Sequence, residues 1–184
     1  MGKAVIYLAN GTEECEALLC ADLLRRAGAE VILAAVGRSR EIVSSHGVAI
    51  RADALAEEAD AAGQDLLVLP GGWPGTKHLE ECPAVQAAIR DFAEKGKPIA
   101  AICAAPSILG RLGLLQGRRA TAFPSFREQL AGAILTEGDV VRDGSFLTSP
   151  GLGAAIPFAL ALVETLEGPA AAQEVAERIG WRQN

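Results

Sequence analysis

Apolar residues fill four stretches of the chain almost completely: Lys3–Leu8, Glu30–Val36, Asp65–Leu69 and Pro98–Ile102. A strand with one exposed face would alternate apolar and polar residues, and these stretches do not. Continuous apolar character is typical of parallel strands that are buried on both faces. The four stretches are therefore predicted to form the centre of a parallel sheet.

Segments with helical periodicity lie between and after these strands. The first is predicted to begin at Thr12 as N-cap and to end near Ala27, before Gly28. Further helices are predicted over Pro83–Glu94, from Pro106 to Leu115, from the glycines of Ser149–Gly153 through Leu166, and from Pro169 to about Ile179. Strands that alternate with helices predict an α/β fold, with a mostly parallel sheet and helices on both of its faces.

Shorter β segments complete the pattern. Ser44–Gly47 is predicted to connect the arms of one hairpin, and Asp143-Gly144 those of a second. A further strand is predicted over Arg119–Ala122, ending at Phe123.

Length and composition restrict the possible classes of protein. With 184 residues, half of them hydrophobic, the chain can bury a substantial core, and residues 1–184 are expected to form one domain. The net charge of −6 and the lack of a basic cluster argue against nucleic acid as a partner. No apolar run reaches membrane-spanning length, and the N-terminus lacks the pattern of a signal peptide. A cytoplasmic, reducing location is expected.

The four cysteines, Cys15, Cys20, Cys82 and Cys103, include no C-x-x-C pair, and the chain has two histidines. Neither a metal site nor a disulfide framework is expected from this pattern. Cys15 and Cys20 are interpreted as packing residues.

Cys103 lies where an apolar strand meets a predicted helix. The small residues Ala104 and Ala105 follow it, and Pro106 suits a first helical turn. This arrangement is typical of a nucleophile elbow, in which a sharp turn exposes the nucleophile above the sheet. A helix N-terminus beside the sulfur predicts a lowered pKa for the thiol. The alternative is a buried structural cysteine, which is common.

Glu16 and two glycines are the other candidates. Glu16 falls on the stripe of Leu19 and Leu23 in the first helix, which directs a carboxylate toward the core side. The alternative is a third acid that stabilises the helix N-terminus. The strand at Asp65–Leu69 ends in Pro70-Gly71-Gly72, where backbone N–H groups can bind an oxyanion or simply form a turn.

These candidates all follow strands. In an open parallel sheet, the loops after the strands gather at one edge, where ligands bind. The sequence therefore predicts that an acid, backbone N–H groups and a thiol meet there. If Glu16 and a Cys103 thiolate lay about 4 Å apart, two full charges would repel by about 4 kcal/mol at an effective dielectric near 20. Keeping the carboxyl protonated at neutral pH costs roughly 3.7 kcal/mol. Since these costs are comparable, a shared proton is predicted.

Four motifs occur in an order that resembles the DJ-1 branch of the DJ-1/ThiJ/PfpI superfamily. They are Asn10–Glu16 (NGTEECE), Leu69–Gly72 (LPGG), Ala100–Pro106 (AAICAAP) and Leu147–Gly153 (LTSPGLG). The resemblance implies a flavodoxin-like three-layer sandwich and a homodimer, with Cys103 as the reactive, oxidisable cysteine and Glu16 as its neighbouring acid. It also implies a role in the oxidative stress response, as a cofactor-independent glyoxalase, a protein deglycase or a chaperone.

Several positions of the chain depart from the superfamily pattern, and they bear on the activity that the resemblance implies. Many relatives place a histidine near the cysteine, whereas the matching position here is Phe123, as in bacterial YajL-like members. Ala104 stands where the protease-like branch has a histidine, which argues against a Cys-His peptidase. His46 and Pro150 take the positions of two pocket arginines of the animal protein. The pocket implied by the resemblance also includes Gly71 and Trp73.

The predicted chemistry is conversion of methylglyoxal to lactate. Cys103 adds to the aldehyde, Glu16 moves a proton between the two carbons, and the N–H groups of Gly72 and Ala104 hold the oxyanion. No cofactor is expected. The alternatives are a redox sensor, in which peroxide oxidises Cys103 to sulfinic acid, and a chaperone-like binding protein without turnover.

Overall fold

The computed structural model of the chain describes residues 1–182, and two kinds of regular element alternate through it. The strands are β1 (Lys3–Leu8), β2 (Glu30–Ala35), β3 (Glu41–Val43), β4 (Ala49–Arg51), β5 (Ala54–Leu55), β6 (Leu66–Leu69), β7 (Ile99–Ile102), β8 (Arg119–Ala120), β9 (Ile134–Leu135), β10 (Val141–Asp143) and β11 (Phe146–Ser149). The α-helices are α1 (Glu14–Arg26), α2 (Gly75–Glu81), α3 (Pro83–Glu94), α4 (Pro106–Arg111), α5 (Ala155–Glu167) and α6 (Pro169–Arg178). Two short 3-10 helices span Pro124–Gln129 and Leu152–Ala154.

The central sheet has the strand order β10-β11-β7-β6-β1-β2-β5. All neighbours are parallel except β10 and β11, which form an antiparallel hairpin. The predicted α/β fold with a mostly parallel sheet is confirmed. Strands β3 and β4 form the first predicted hairpin as a separate two-stranded sheet.

Two apolar cores lie on opposite faces of the sheet. Alternate residues of β1 divide between them: Ala4, Ile6 and Leu8 face one core, and Val5 and Tyr7 face the other. Helices α1, α5 and α6 cover the first face, and α2, α3 and α4 cover the second. This arrangement explains why the strands carry almost no polar residues.

The chain reverses its direction across the sheet between β1 and β6. From β1 it continues outward to β2, whereas β6, on the other side of β1, continues toward β7. The loops that follow β1 and β6 meet at this switch point beyond the carboxyl ends of the strands, where the N–H of Glu13 donates to the Gly71 carbonyl at 2.9 Å. The loop after β7, which contains Cys103, ends at the same edge.

Local structure departs from the sequence predictions in several places. Glu13, rather than Thr12, caps α1, and its Oε2 accepts the N–H of Glu16 at 2.6 Å. Thr12 instead accepts the N–H of Ala9 through its hydroxyl at 2.9 Å. Helix α2 was not predicted, because its mostly polar residues show no apolar periodicity.

Three further predictions were wrong: one helix and one strand are shorter than predicted, and one cysteine is exposed rather than packed. Helix α4 ends at Arg111 rather than Leu115, since the chain turns at Gly113, where φ is +72°. The strand predicted over Arg119–Ala122 is confined to Arg119–Ala120, which pairs with β9 outside the central sheet. Cys15, interpreted as a packing residue, is exposed, whereas Cys20 is buried as expected. Within residues 1–182, no helix has the length and apolar character needed to cross a bilayer.

Candidate active site

Cys103 occupies a strained turn between β7 and α4. Its φ of +64° is the one positive value among the non-glycine residues from 1 to 182. Left-handed backbone costs an L-residue about 1–2 kcal/mol, so neighbouring contacts must hold it. The Cys103 N–H donates to the Ser149 carbonyl at 2.9 Å, and the Phe123 N–H donates to the Cys103 carbonyl at 2.8 Å. The turn is the sharp strand-to-helix elbow that the sequence predicted.

Backbone donors surround the sulfur of Cys103. The N–H groups of Gly72 and Ala104 lie beside it and favour its thiolate form, because both lower the pKa of the thiol. They come from two different loops, after β6 and after β7, which the topology brings to one edge. Two donors that converge on one atom can stabilise negative charge there, on sulfur or on an oxygen bonded next to it.

Glu16 extends from the first turn of α1 toward the same edge of the sheet, and it is 0 % exposed. Oε2 accepts the N–H of Gly71 at 2.9 Å. The side chains of Glu16 and Cys103 are close enough for each to shift the pKa of the other. Oε1 is buried and makes no well-aligned hydrogen bond with any residue of the described range. One carboxylate oxygen thus fixes the group, and the other remains available for proton transfer.

Gly71 makes this close approach possible. A Cβ at this position would lie 2.6 Å from the Cβ of Cys103 and 2.8 Å from Oε2 of Glu16. Either distance is shorter than a normal nonbonded contact. Only glycine therefore fits between the two functional side chains.

The pKa of Cys103 shifts in the direction opposite to the sequence prediction. Burial raises the pKa of Glu16 from 4.5 to about 7, against the opposing effect of the Gly71 N–H. Burial, and then the charge of Glu16, raises the pKa of Cys103 from 9.0 to about 12, although the Gly72 and Ala104 N–H groups oppose this shift. The prediction that a helix N-terminus lowers the Cys103 pKa is therefore wrong, because α4 is short and desolvation outweighs the donors. The two groups are coupled, and their proton is best assigned to the pair.

The two histidines make their polar contacts away from the sulfur. His46 is on the β3–β4 turn, where Nδ1 lies 3.1 Å from Oε1 of Glu14 and 3.2 Å from Oγ of Ser45. His78 contacts the backbone oxygen of Asn10 at 2.9 Å. The donor atoms of Glu13, Glu14 and His46 lie within 4.8 Å of one another, so this group could share a metal ion.

The other pocket residues predicted from the resemblance lie near Cys103 or directly after Gly72, and they differ in their exposure to solvent. Phe123 is 46 % exposed and follows β8 on the side of Cys103. Pro150, half-buried, connects Ser149, which binds the Cys103 backbone, to Gly151. Trp73 is 55 % exposed and directly follows Gly72.

Sequence reasoning missed three residues of the site. Glu13 holds the N-terminus of α1, and its charge contributes to the raised pKa of Glu16 after desolvation. Glu13 lies three residues before Glu16, which is the usual spacing between an N-cap and the N–H group that it accepts. The cap was predicted at Thr12 instead, because glutamate is a rare N-cap residue. A Cβ on Gly151 would lie 3.8 Å from the Cys103 sulfur, so this glycine borders the site. Phe126 contacts Trp73, and no local pattern indicates that contact.

Comparison with known proteins shows a match over most of the chain. A model of the DJ-1/PfpI family matches residues 2–165. Protein dj-1beta of Drosophila melanogaster is 38% identical over 177 residues, with 95% of each chain covered. A Caenorhabditis elegans protein named glutathione-independent glyoxalase DJR-1.2 is 34% identical, with 85% of this chain and 84% of the relative covered.

Longer relatives and solved structures match as well. The chain is 41% and 39% identical to the Arabidopsis thaliana proteins DJ-1 homolog B and homolog A, and it spans only 38% and 47% of their length. The solved structure titled Toxoplasma gondii DJ-1, oxidized, has a TM-score of 0.95 and 36% identity, with all of both chains covered. The flavodoxin-like architecture predicted from the resemblance is thereby confirmed.

Proposed function

The chain belongs to the DJ-1/PfpI family, and from this premise we propose that it is a cysteine-dependent enzyme of the glyoxalase/deglycase type, acting on small reactive dicarbonyls. The close approach of the Glu16 carboxyl and the Cys103 side chain to Gly71, with the N–H groups of Gly72 and Ala104 beside the sulfur, is the observation that carries the proposal. The name of the C. elegans relative supports it. Neither histidine contacts this pair, which favours the proposal over a Cys-His peptidase.

The reactive form of the pair carries one proton. With pKa values raised to about 7 and about 12, the pair loses its first proton near neutral pH and keeps the second. That second proton moves between the Cys103 sulfur and the Glu16 carboxyl. In the form with neutral Glu16, the thiolate accepts hydrogen bonds from Gly72, Ala104 and the carboxyl, and it is the nucleophile.

Addition is the first step of the proposed reaction. The thiolate forms a bond to the aldehyde carbon of methylglyoxal, and the electron pair of the C=O bond moves to oxygen. The N–H groups of Gly72 and Ala104 stabilise the developing oxyanion. The proton of Glu16 then neutralises the oxyanion, which gives a hemithioacetal and a Glu16 carboxylate.

Proton transfer and hydrolysis complete the cycle. The Glu16 carboxylate removes the proton from the former aldehyde carbon, which gives an enediol, and returns it to the neighbouring carbon. The hydroxyl proton of the first carbon passes to the oxygen of the second, so the product is a thioester of lactate. Water cleaves the thioester, which releases lactate and restores the Cys103 thiol. Methylglyoxal plus water thus gives lactate with no net oxidation, and no cofactor takes part.

Turnover without glutathione tests the proposal. Cys103→Ser is expected to reduce lactate formation from methylglyoxal to the uncatalysed rate, and Glu16→Gln is expected to lower kcat by about 10²–10⁴-fold. Cys15→Ser is the matched control, because Cys15 is exposed and outside the site, and it should retain full activity. Circular dichroism confirms that each variant is folded. Undiminished turnover by Cys103→Ser would overturn the proposal.

A second candidate function is a redox sensor, favoured by the donors around the sulfur. Gly72 and Ala104 N–H groups could bind the oxygens of a Cys103 sulfinic acid, and one solved relative is described as oxidized. Graded peroxide followed by mass spectrometry separates the two functions. Selective oxidation of Cys103 in a protein without turnover would favour the sensor.

The resemblance that leads to this proposal also implies a homodimer in the cytoplasm and a bacterial YajL-like subtype. These implications stay predictions, as does a chaperone-like activity. Light scattering of the purified protein measures the oligomeric state directly.

A further inference from the structure

Partly exposed aromatic rings are concentrated beside Cys103. Four aromatic residues are buried in the two cores: Tyr7, Phe92, Phe146 and Phe158. The others reach the surface: Trp73, Phe123, Phe126 and Trp181. Three of these four lie in two segments near the cysteine, namely the loop after β6 and the segment from Phe123 into the 3-10 helix Pro124–Gln129. We call Trp73, Phe123 and Phe126 the aromatic lip. Apolar surface that remains exposed beside a reactive group indicates a place where a ligand binds.

Backbone contacts connect the aromatic lip to the reacting atoms. Gly72, whose N–H reaches the sulfur, is followed directly by Trp73. Phe123 donates its N–H to the Cys103 carbonyl, and Phe126 donates its own N–H to the Phe123 carbonyl, both at 2.8 Å. The position of an added Cβ on Gly151 is 3.4 Å from the Phe123 ring and 3.8 Å from the sulfur. A substrate carbonyl at the sulfur would therefore lie close to the Phe123 ring.

The two segments that carry the aromatic lip also contact each other. The ring centroids of Trp73 and Phe126 are 5.9 Å apart, with an angle of 44° between the ring planes. This distance is within the range of favourable aromatic pairs, which hold each other in position. The 55 % exposure of Trp73 leaves much of that side chain open to a third group.

Charge at the aromatic lip favours a neutral ligand. The guanidinium of Arg127, next to Phe126, binds both carboxylate oxygens of Glu137 at 2.5 and 2.9 Å. Its Nε donates to the Ala122 carbonyl at 3.2 Å. The donors of this arginine are therefore occupied, and its charge is paired. A ligand at the aromatic lip is held by ring contacts rather than by an ion pair.

We propose that the aromatic lip is an aryl-binding subsite, and that the enzyme acts preferentially on 2-oxoaldehydes with an aromatic substituent, of which phenylglyoxal is the simplest. This inference rests on the proposed function. The substituent packs against Trp73 and Phe123 while the aldehyde carbon reaches Cys103. The bonds that form and break are those given for methylglyoxal, so phenylglyoxal plus water yields mandelate.

The test compares the ratio of kcat/KM for phenylglyoxal to that for methylglyoxal, with mandelate and lactate measured by chromatography. Trp73→Ala and Phe123→Leu should each lower this ratio by about tenfold, mainly through KM for phenylglyoxal. Trp73→Phe should retain most of the preference. Trp181→Ala is the matched control, since it removes the partly exposed aromatic ring that lies outside the aromatic lip, and it should leave the ratio unchanged. Reactions with Cys103→Ser correct for consumption of phenylglyoxal by arginine side chains.

The outcomes separate this inference from the proposed function. Turnover of both substrates, with a ratio that falls in Trp73→Ala and not in Trp181→Ala, supports the subsite. Turnover of methylglyoxal with the same ratio in Trp73→Ala and in the unaltered protein overturns the subsite and leaves the proposed function standing. Failure to convert either substrate overturns both.

Discussion

The carboxyl of Glu16 and the side chain of Cys103 both approach Gly71, where an added Cβ would lie 2.8 Å from Oε2 of Glu16 and 2.6 Å from the Cβ of Cys103. One group comes from the helix after β1 and the other from the turn after β7. Both are largely removed from water, so the charge on each strongly affects the other.

The buried carboxyl should make stability depend on pH. Burial raises the pKa of Glu16 from 4.5 to about 7, so between these values the folded protein holds a proton that the unfolded chain has lost. The free energy of unfolding therefore falls as pH rises through this window, by about 3 kcal/mol. Glu16→Gln should remove this loss. Urea unfolding at pH 5 and pH 8 measures it.

Glu57→Gln, at an exposed carboxyl, is the control for that experiment and should keep the pH dependence of the unaltered protein. The assignment fails if Glu16→Gln and the unaltered protein lose equal stability between pH 5 and pH 8.

Adding a methyl group at Gly71 should disrupt the pair. Its Cβ would lie 2.6 Å from that of Cys103, so the side chains must separate. Gly71→Ala is expected to cost about 1–3 kcal/mol of stability and to reduce turnover strongly. Gly153→Ala is the matched control, since a Cβ there has no heavy atom within 4 Å. Thermal unfolding and methylglyoxal turnover are the measurements, and equal behaviour of the two variants would contradict the packing argument.

The backbone at Cys103 should favour glycine over alanine. With φ at +64°, an L-residue is strained by about 1–2 kcal/mol and glycine is not. Cys103→Gly should therefore be at least as stable as Cys103→Ala. At the neighbouring Ala104, where φ is not positive, the change to glycine should instead destabilise the fold by about 0.4–1 kcal/mol. A more stable Cys103→Ala would show that the turn is not strained.

Much of the fold could be predicted from the sequence, because strands buried on both faces have a distinct composition. The bounds of β1 were predicted as found, and those of β6 and β7 to within one residue. Helix α2 was missed because it begins at Gly75 and has few apolar residues, so that packing rather than pattern determines it. Glu13 was passed over as a cap for a similar reason, since its role depends on one hydrogen bond.

The location of the site could be predicted from the sequence, whereas the direction of the Cys103 pKa shift and the contacts between distant segments could not. The rule that loops gather at the carboxyl ends of parallel strands brought Glu16, Gly72 and Cys103 to one edge, as the structure does. The sign of the Cys103 pKa shift could not be obtained this way, because it depends on how completely the sulfur is desolvated. The contact between Trp73 and Phe126 joins two loops distant in sequence and leaves no local signal.

Peroxide should act selectively on Cys103 despite the greater exposure of Cys15. Cys103 shares its proton with Glu16 beside the N–H groups of Gly72 and Ala104, which favour its thiolate. Desolvation, followed by the charges of Glu13, Glu14 and Glu16, raises the pKa of Cys15 and disfavours a thiolate there. Peptide mass spectrometry at low peroxide should find oxidation first at Cys103 and less of it in Glu16→Gln. Oxidation that begins at Cys15 would contradict this order.

The pH dependence of Cys103 alkylation tests the central claim, that Glu16 and Cys103 titrate as one unit. The measurement is the rate of iodoacetamide modification from pH 5 to pH 10, in a Cys15→Ser background, with and without Glu16→Gln. We expect the rate to rise with an inflection near pH 7 and to reach a plateau above it, and we expect this inflection to shift clearly to higher pH in Glu16→Gln. An inflection above pH 8 that is the same with and without Glu16→Gln would contradict the account.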